Sequence, residues 1–208
     1  MSEHLDYKLY YRRRLPHYQP AEGLFFMTYR LAFSLPQAVM EQQRQKMLEF
    51  EQRSQGLAKR EQQELLLTCQ KVIFAIEDAF LGKCDQSPHW LLLDAIAKLV
   101  LDSLWFNHTK HYELFCVLLM SNHVHIVIKP LLQRPDTPYS LAQIMKEHKT
   151  YVAKQANMIL NRSGEFWSRE YYDYWIRDEE EFRRVINYIL QNPVKAGLVK
   201  DYRDWKHY

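Results

Sequence analysis

The sequence predicts an α+β fold, a ferredoxin-like antiparallel sheet covered by helices, and three observations predict it. Two apolar, β-rich runs, "YELFCVLLM" (Tyr112 to Met120) and "HVHIVIK" (His123 to Lys129), are separated only by "SN", the mark of an antiparallel hairpin. Segments with helical spacing of apolar residues lie on both sides of that hairpin. The order that results is strand, helices, strand, strand, helix, short strand, helix, which suits a small antiparallel sheet with helical cover. At 208 residues the chain fits one domain, 1–208, long enough to bury a core.

Element by element, residues 1–22 are basic, aromatic and punctuated by proline, and read as an extended arm. "GLFFMTYRLAF" (Gly23 to Phe33) is rich in β-formers and reads as a strand. A long helical stretch follows, and its part from about residue 37 to 63 is dominated by Gln, Glu, Arg and Lys, as in a solvated helical insertion. "SPHWLLLDAIAKLVLDSLWFNH" reads as a buried helix, with Ser87 as its cap and Pro88 in its first turn. After the hairpin, "PLLQRPDTPYS" reads as a loop and "SLAQIMKEHKTYVAKQANMILN" as an amphipathic helix capped by Ser140. "RSGEFWSREYYDYWIRD" reads as loop and short strand. "DEEEFRRVINYILQNPVKAGLV" is a final helix, with acids in its first turn where the helix dipole favours them.

Composition narrows the functional classes. Only 5 glycines occur and no Gly-rich phosphate loop is present. The 3 cysteines form no CxxC pair, which argues against a zinc ribbon or redox dithiol and fits reduced thiols in a cytoplasmic protein. No apolar run approaches ~18 residues and the first residues hold no apolar signal core, so neither membrane spanning nor secretion is expected. The net charge of +3 permits nucleic acid as a partner without demanding it.

The histidine pair carries the chemistry. Strand side chains alternate, so His123, His125 and Val127 share one face while Val124, Ile126 and Ile128 share the other, the core face. Two imidazoles on one face, with Cβ atoms about 7 Å apart, can reach one divalent ion. They equally fit two satisfied structural histidines. Two ligands are too few for a closed zinc site, so a metal here keeps open positions for substrate and water, the layout of an ion that polarises a phosphoryl oxygen.

On the helix after this hairpin, His148, Tyr151 and Gln155 fall on one face at helical spacing, a face expected to point inward or into a cleft. A phenol beside a divalent ion can attack a phosphodiester and form a covalent phosphotyrosine. An ordinary half-buried helix tyrosine is the plainer reading in a chain with 14 tyrosines.

These residues carry a family resemblance. "HVH" after an apolar strand is similar to the HUH motif of single-strand DNA transposases and relaxases. The blocks "YRRRLPHYQP…LFFMTYRLAFSLP", "HYELFCVLLMSNHVHIVIKPL", "KTYVAKQANMILNRSGEFWSREYYDYWIRDEEEF" and "YILQNPVKAGLV" together resemble the REP-associated tyrosine transposases. The likeness covers most of the chain outside the polar helix at about 37–63. It implies an HUH endonuclease fold and cleavage of single-stranded DNA beside repetitive extragenic palindrome hairpins, with Mg2+ or Mn2+. The tyrosine becomes joined to a 5′-phosphate, a 3′-OH is left free, and the enzyme acts as a monomer, with a dimer the alternative. By position it makes His123 and His125 metal ligands, Tyr151 the nucleophile and Gln155 the third ligand, with Asn157 and His148 as alternatives. Ser121 stands where many relatives have proline, which alters the turn and not the metal site.

The DNA-binding surface is expected in the arm, where Arg12, Arg13, Arg14 and His17 lie among Tyr10, Tyr11 and Tyr18, and in the later aromatic stretch through Arg162 and Arg169. Competing classes fare worse. A histidine-triad enzyme needs a third alternate histidine where Val127 stands, and a two-histidine phosphoesterase needs a second strand motif where "HKT" lies on a helix. A non-cleaving DNA-binding regulator that has kept the fold is the main alternative.

Overall fold

The structure, a computed structural model, describes residues 7–12, 16–83 and 87–206. In the arm, β1 (Tyr10–Arg12) and β2 (Pro16–Tyr18) form an antiparallel ribbon with Tyr11 opposite His17. Then come β3 (Leu24–Leu31), α1 (Gln37–Ser54), α2 (Lys59–Leu81), α3 (Asp94–Asn107), β4 (Tyr112–Leu119) and β5 (His123–Pro130). The chain continues through β6 (Leu132–Arg134), β7 (Thr137–Pro138), α4 (Leu141–Ile159), β8 (Trp167–Ile176), α5 (Glu179–Leu190) and α6 (Asn192–Lys195). It divides into two compact units, Phe33–Gln86 and the remainder.

The smaller unit is the helix pair α1 and α2. The polar stretch at about 37–63 spans α1 and the start of α2. Surface pairs such as Arg44 with Glu41 and Lys46 with Glu49 lie along α1. The buried amide of Gln43 donates to Glu77 across the pair at 3.0 Å. Gly56, at φ +78°, takes the left-handed turn between the helices.

The larger unit is built on one antiparallel sheet in the order β4-β5-β3-β8. β3 pairs antiparallel with both β5 and β8, and β4 with β5. Hence β3 runs parallel to β4, and β5 to β8. Parallel strands need a crossover. Here α3 links β3 to β4, and α4 links β5 to β8. Both helices cover the same face: Tyr29 of β3 and Ser103 of α3 each hydrogen-bond His148 of α4, at 2.8 and 2.9 Å. Phe25, Met27, Val124, Ile126 and Ile128 fill this face and are fully buried. The α+β ferredoxin-like architecture expected from the sequence is therefore present. No helix among the described residues is long and apolar enough to cross a membrane.

The opposite face carries Phe26, Thr28, His123, His125, Val127, Tyr172 and Tyr174. It is covered by α5, whose Tyr188 ring meets Phe26 edge-on at 5.9 Å. Asp178 caps α5 by accepting from the Glu181 amide, and Glu179, Glu180 and Glu181 occupy its first turn.

Three local expectations are corrected. Ser87 and Pro88 do not start α3. A short 3-10 turn at Trp90–Leu92 intervenes, because Leu91 is fully buried and its amide is tied to the Ser121 carbonyl. Ser87 instead accepts a hydrogen bond from Asn122 at 2.7 Å. The segment around Trp167 is a ten-residue strand rather than a short one, since its alternate residues are buried on both faces of the sheet. The loop after β5 folds into the small β6–β7 ribbon, with Asp136 at φ 60° in its turn.

Candidate active site

His123 and His125 are both fully buried on β5, and their Nε2 atoms face each other at 3.1 Å. The remaining ring nitrogens are fixed by neighbours. Nδ1 of His123 lies 2.6 Å from Oδ1 of Asn122, whose amide nitrogen is committed to Ser87. An amide oxygen only accepts, so Nδ1 carries the proton and Nε2 of His123 presents its lone pair. Nδ1 of His125 lies 2.8 Å from the Thr28 hydroxyl. Burial drives the His125 pKa down to about 3, and a hydrogen bond with Asn192 opposes the shift only partly. His125 is therefore neutral at pH 7.

This donor set fits a divalent ion. Two imidazole nitrogens converge at the separation of adjacent ligands, which is about 3 Å for bonds of ~2.1 Å. Each ring is oriented through its other nitrogen by an oxygen, as metal-binding histidines generally are. Packing holds the pair from the sides: Phe26 stacks on His125 at 5.7 Å.

The structure does not bring Tyr151 to the histidines. α4 packs on the Tyr29 face, and the histidines lie on the Thr28 face of the same sheet. Tyr151 is 53% exposed, on the flank of α4. His148 points into the core, saturated by Tyr29 and Ser103, and burial takes its pKa to about 3. Gln155 is half-buried on the same helix, which packs on the sheet face opposite the pair. Asn157 is spent at the end of α4, donating to the Gly164 carbonyl and accepting from Arg162. The inward helix face of His148, Tyr151 and Gln155 thus splits into one core residue, one surface residue and one boundary residue.

Another tyrosine meets the pair. The ring of Tyr188 on α5 lies edge-on to His125 at 5.9 Å. One turn further, Asn192 is buried and hydrogen-bonds His125. Its amide also donates to the Tyr188 carbonyl at 3.4 Å. The sequence held the signal: "YILQN" places a phenol and an amide at i and i+4 across the end of α5 and the start of α6.

Of the expected DNA contacts, Arg13 and Arg14 lie outside the described residues. Arg12 and His17 are strand residues of the β1–β2 ribbon. Arg169 is 88% exposed beside Glu165. Arg162 is held closer, its guanidinium 4.3 Å over the Trp90 ring, which itself stacks on Phe166.

Comparison with known proteins adds to this geometry. No family model matches the chain. A REP-associated tyrosine transposase of Haemophilus influenzae is 27% identical over 109 residues, covering 47% of this chain and 60% of that protein. The match thus spans less than two thirds of that relative. A solved REP-associated tyrosine transposase bound to a REP hairpin shares the fold with a TM-score of 0.51 at 17% identity, over 100% of this chain and 81% of that one. By sequence likeness to the one and by architecture to the other, the chain resembles the REP-associated tyrosine transposases and has their HUH fold.

Proposed function

We propose that the chain is a metal-dependent endonuclease and strand-transfer enzyme for single-stranded DNA. It cuts beside REP hairpins through a covalent 5′-phosphotyrosine and acts as a monomer. The observation that carries this is the convergence of the His123 and His125 Nε2 atoms with Tyr188 and Asn192, which lie one helical turn apart. The likeness to a named transposase and to a fold solved on a DNA hairpin supports the substrate class.

In this reading His123, His125 and the amide oxygen of Asn192 hold Mg2+ or Mn2+. When bound, the ion polarises the scissile phosphate and offsets charge on its oxygens. The Tyr188 phenolic oxygen attacks phosphorus as its proton passes to solvent. The P–O3′ bond breaks, the 3′-oxygen takes up a proton from water, and the 5′-phosphate stays on the tyrosine. Reversal by a 3′-OH rejoins strands. Asn122 and Thr28 hold the imidazoles in the tautomers that ligation needs. Arg12, Arg13, Arg14, His17, Arg162 and Arg169 are proposed to contact DNA. Tyr151 with Gln155 is the other nucleophile assignment, and it requires α4 to leave the face on which it packs.

The test is to incubate the protein with single-stranded hairpins and Mn2+, then map any covalent adduct by mass spectrometry of the peptides. We expect the nucleotide on Tyr188, with Tyr188→Phe giving none. An adduct on Tyr151 would overturn the assignment of the nucleophile. Hairpin binding with no adduct under Mg2+ or Mn2+ would leave the non-cleaving regulator as the correct reading.

A further inference from the structure

We propose that Lys195 is the cation that grips the phosphate attacked at Tyr188, an inference that rests on the reading of the site given above. α6 is a single turn with Pro193 in its first turn, and Gly197 at φ +73° follows it. Across that turn Asn192 and Lys195 are at i and i+3 and so point to the same side. They divide the site between them. Asn192 is buried against His125, whereas Lys195 is exposed and keeps its Nζ 4.8 Å from the centre of the Tyr188 ring.

Four arginines of the C-terminal segments are otherwise occupied. Arg177 is paired with Glu181, Arg183 with Glu179, Arg184 with Glu180, and Arg203 with Asp201. Lys195 has no carboxylate partner among the described residues. A long side chain without an acid to meet is free to extend into water, yet this one returns to the phenol. Its ammonium therefore stays over the Tyr188 ring on an exposed side chain, placed to meet a phosphate brought to that phenol. A phosphodiester carries one negative charge and its pentavalent transition state two, so a fixed ammonium there stabilises the transition state more than the ground state. The lysine takes no part in proton transfer. It supplies three donors as a point charge, the usual lysine mode with phosphate.

The bland alternative is a cation placed at the end of α6 to favour the helix dipole. The two differ in what they move. The experiment uses the full chain, a labelled single-stranded hairpin and Mn2+, and compares wild type with Lys195→Met, Lys195→Arg and Tyr188→Phe. We expect Lys195→Met to slow adduct formation at saturating DNA by about 10- to 100-fold and Lys195→Arg to restore most of it. We also expect Lys195→Met to reduce the slope of log affinity against log salt by about 0.7, the share of one single-strand phosphate contact. Mn2+ affinity and the thermal midpoint should stay at wild-type values. An adduct at the wild-type rate in Lys195→Met, with an unchanged salt slope, overturns the role of Lys195 alone. Absence of any adduct in wild type, or its survival in Tyr188→Phe, overturns the underlying site reading and this inference with it.

Discussion

The hydroxyl of Thr28 lies 2.8 Å from Nδ1 of His125, across the β3–β5 pairing. This contact orients the imidazole and lies outside the proposed ligand set of His123, His125 and Asn192. Replacement by the isosteric valine removes the hydroxyl while keeping the volume. Thr28→Val should therefore weaken Mn2+ binding by about 10- to 100-fold, measured by titration calorimetry, with hairpin binding in chelator unchanged. Full Mn2+ affinity in the variant would remove Thr28 from the site.

Tyr151 provides the complementary control. It is half exposed on α4, and its hydroxyl is not needed by the core stripe of Met145, His148 and Val152. Tyr151→Phe should change stability by no more than about 0.5 kcal/mol in urea unfolding and should leave adduct yield intact.

His148 predicts how stability follows pH. Its ordinary pKa of 6.5 falls to about 3 in the folded chain because burial disfavours the charged ring. Above pH 6.5 the ring is neutral in both states and contributes no slope. Between about pH 6.5 and 3 the unfolded chain takes up a proton that the folded chain refuses. Stability then falls as pH falls, by about 1.4 kcal/mol per unit for this one group. Urea unfolding in chelator from pH 7 to 4 should show the fall, and His148→Gln should flatten it by that amount. The variant is also expected to be less stable at pH 7, since it disturbs the bonds to Tyr29 and Ser103.

Arg162 and Arg169 should separate. Arg169 is exposed beside Glu165, so Arg169→Ala should leave the thermal midpoint unchanged and reduce the salt slope of DNA binding by about 0.7. Arg162 covers the Trp90 ring and bonds Asn157, so Arg162→Ala should cost about 1 kcal/mol in stability. A salt slope unchanged by Arg169→Ala would take that residue off the DNA surface.

Much of this was legible in the chain itself. Alternation in "HVHIVIK" gave the two strand faces correctly, because a period of two is rigid once a strand is assigned. The hairpin, α4 and α5 followed from patterning and acids at the helix start. What patterning does not state is the side of the sheet on which a helix settles. Helical phase grouped Tyr151 with His148 and left open where that group would lie. The deciding information is topological: α3 and α4 each cross between parallel strands, and such crossovers share a hand, which sends both to one face. They cover Val124, Ile126 and Ile128, so the histidine face falls to the last helix. β8 was underestimated because aromatic and charged residues alternate there without an apolar majority.

Thr28 and Tyr29 are covalent neighbours, yet one serves His125 and the other His148. Chemistry and scaffold are thus interleaved along β3, one residue to each in turn, rather than set in separate stretches of chain. Removing a single residue between Phe25 and Thr28 would exchange the two duties, putting a bulky phenol beside His125 and a short hydroxyl in the apolar layer. Substitutions can tune either duty alone, but a change of length in this strand abolishes both at once.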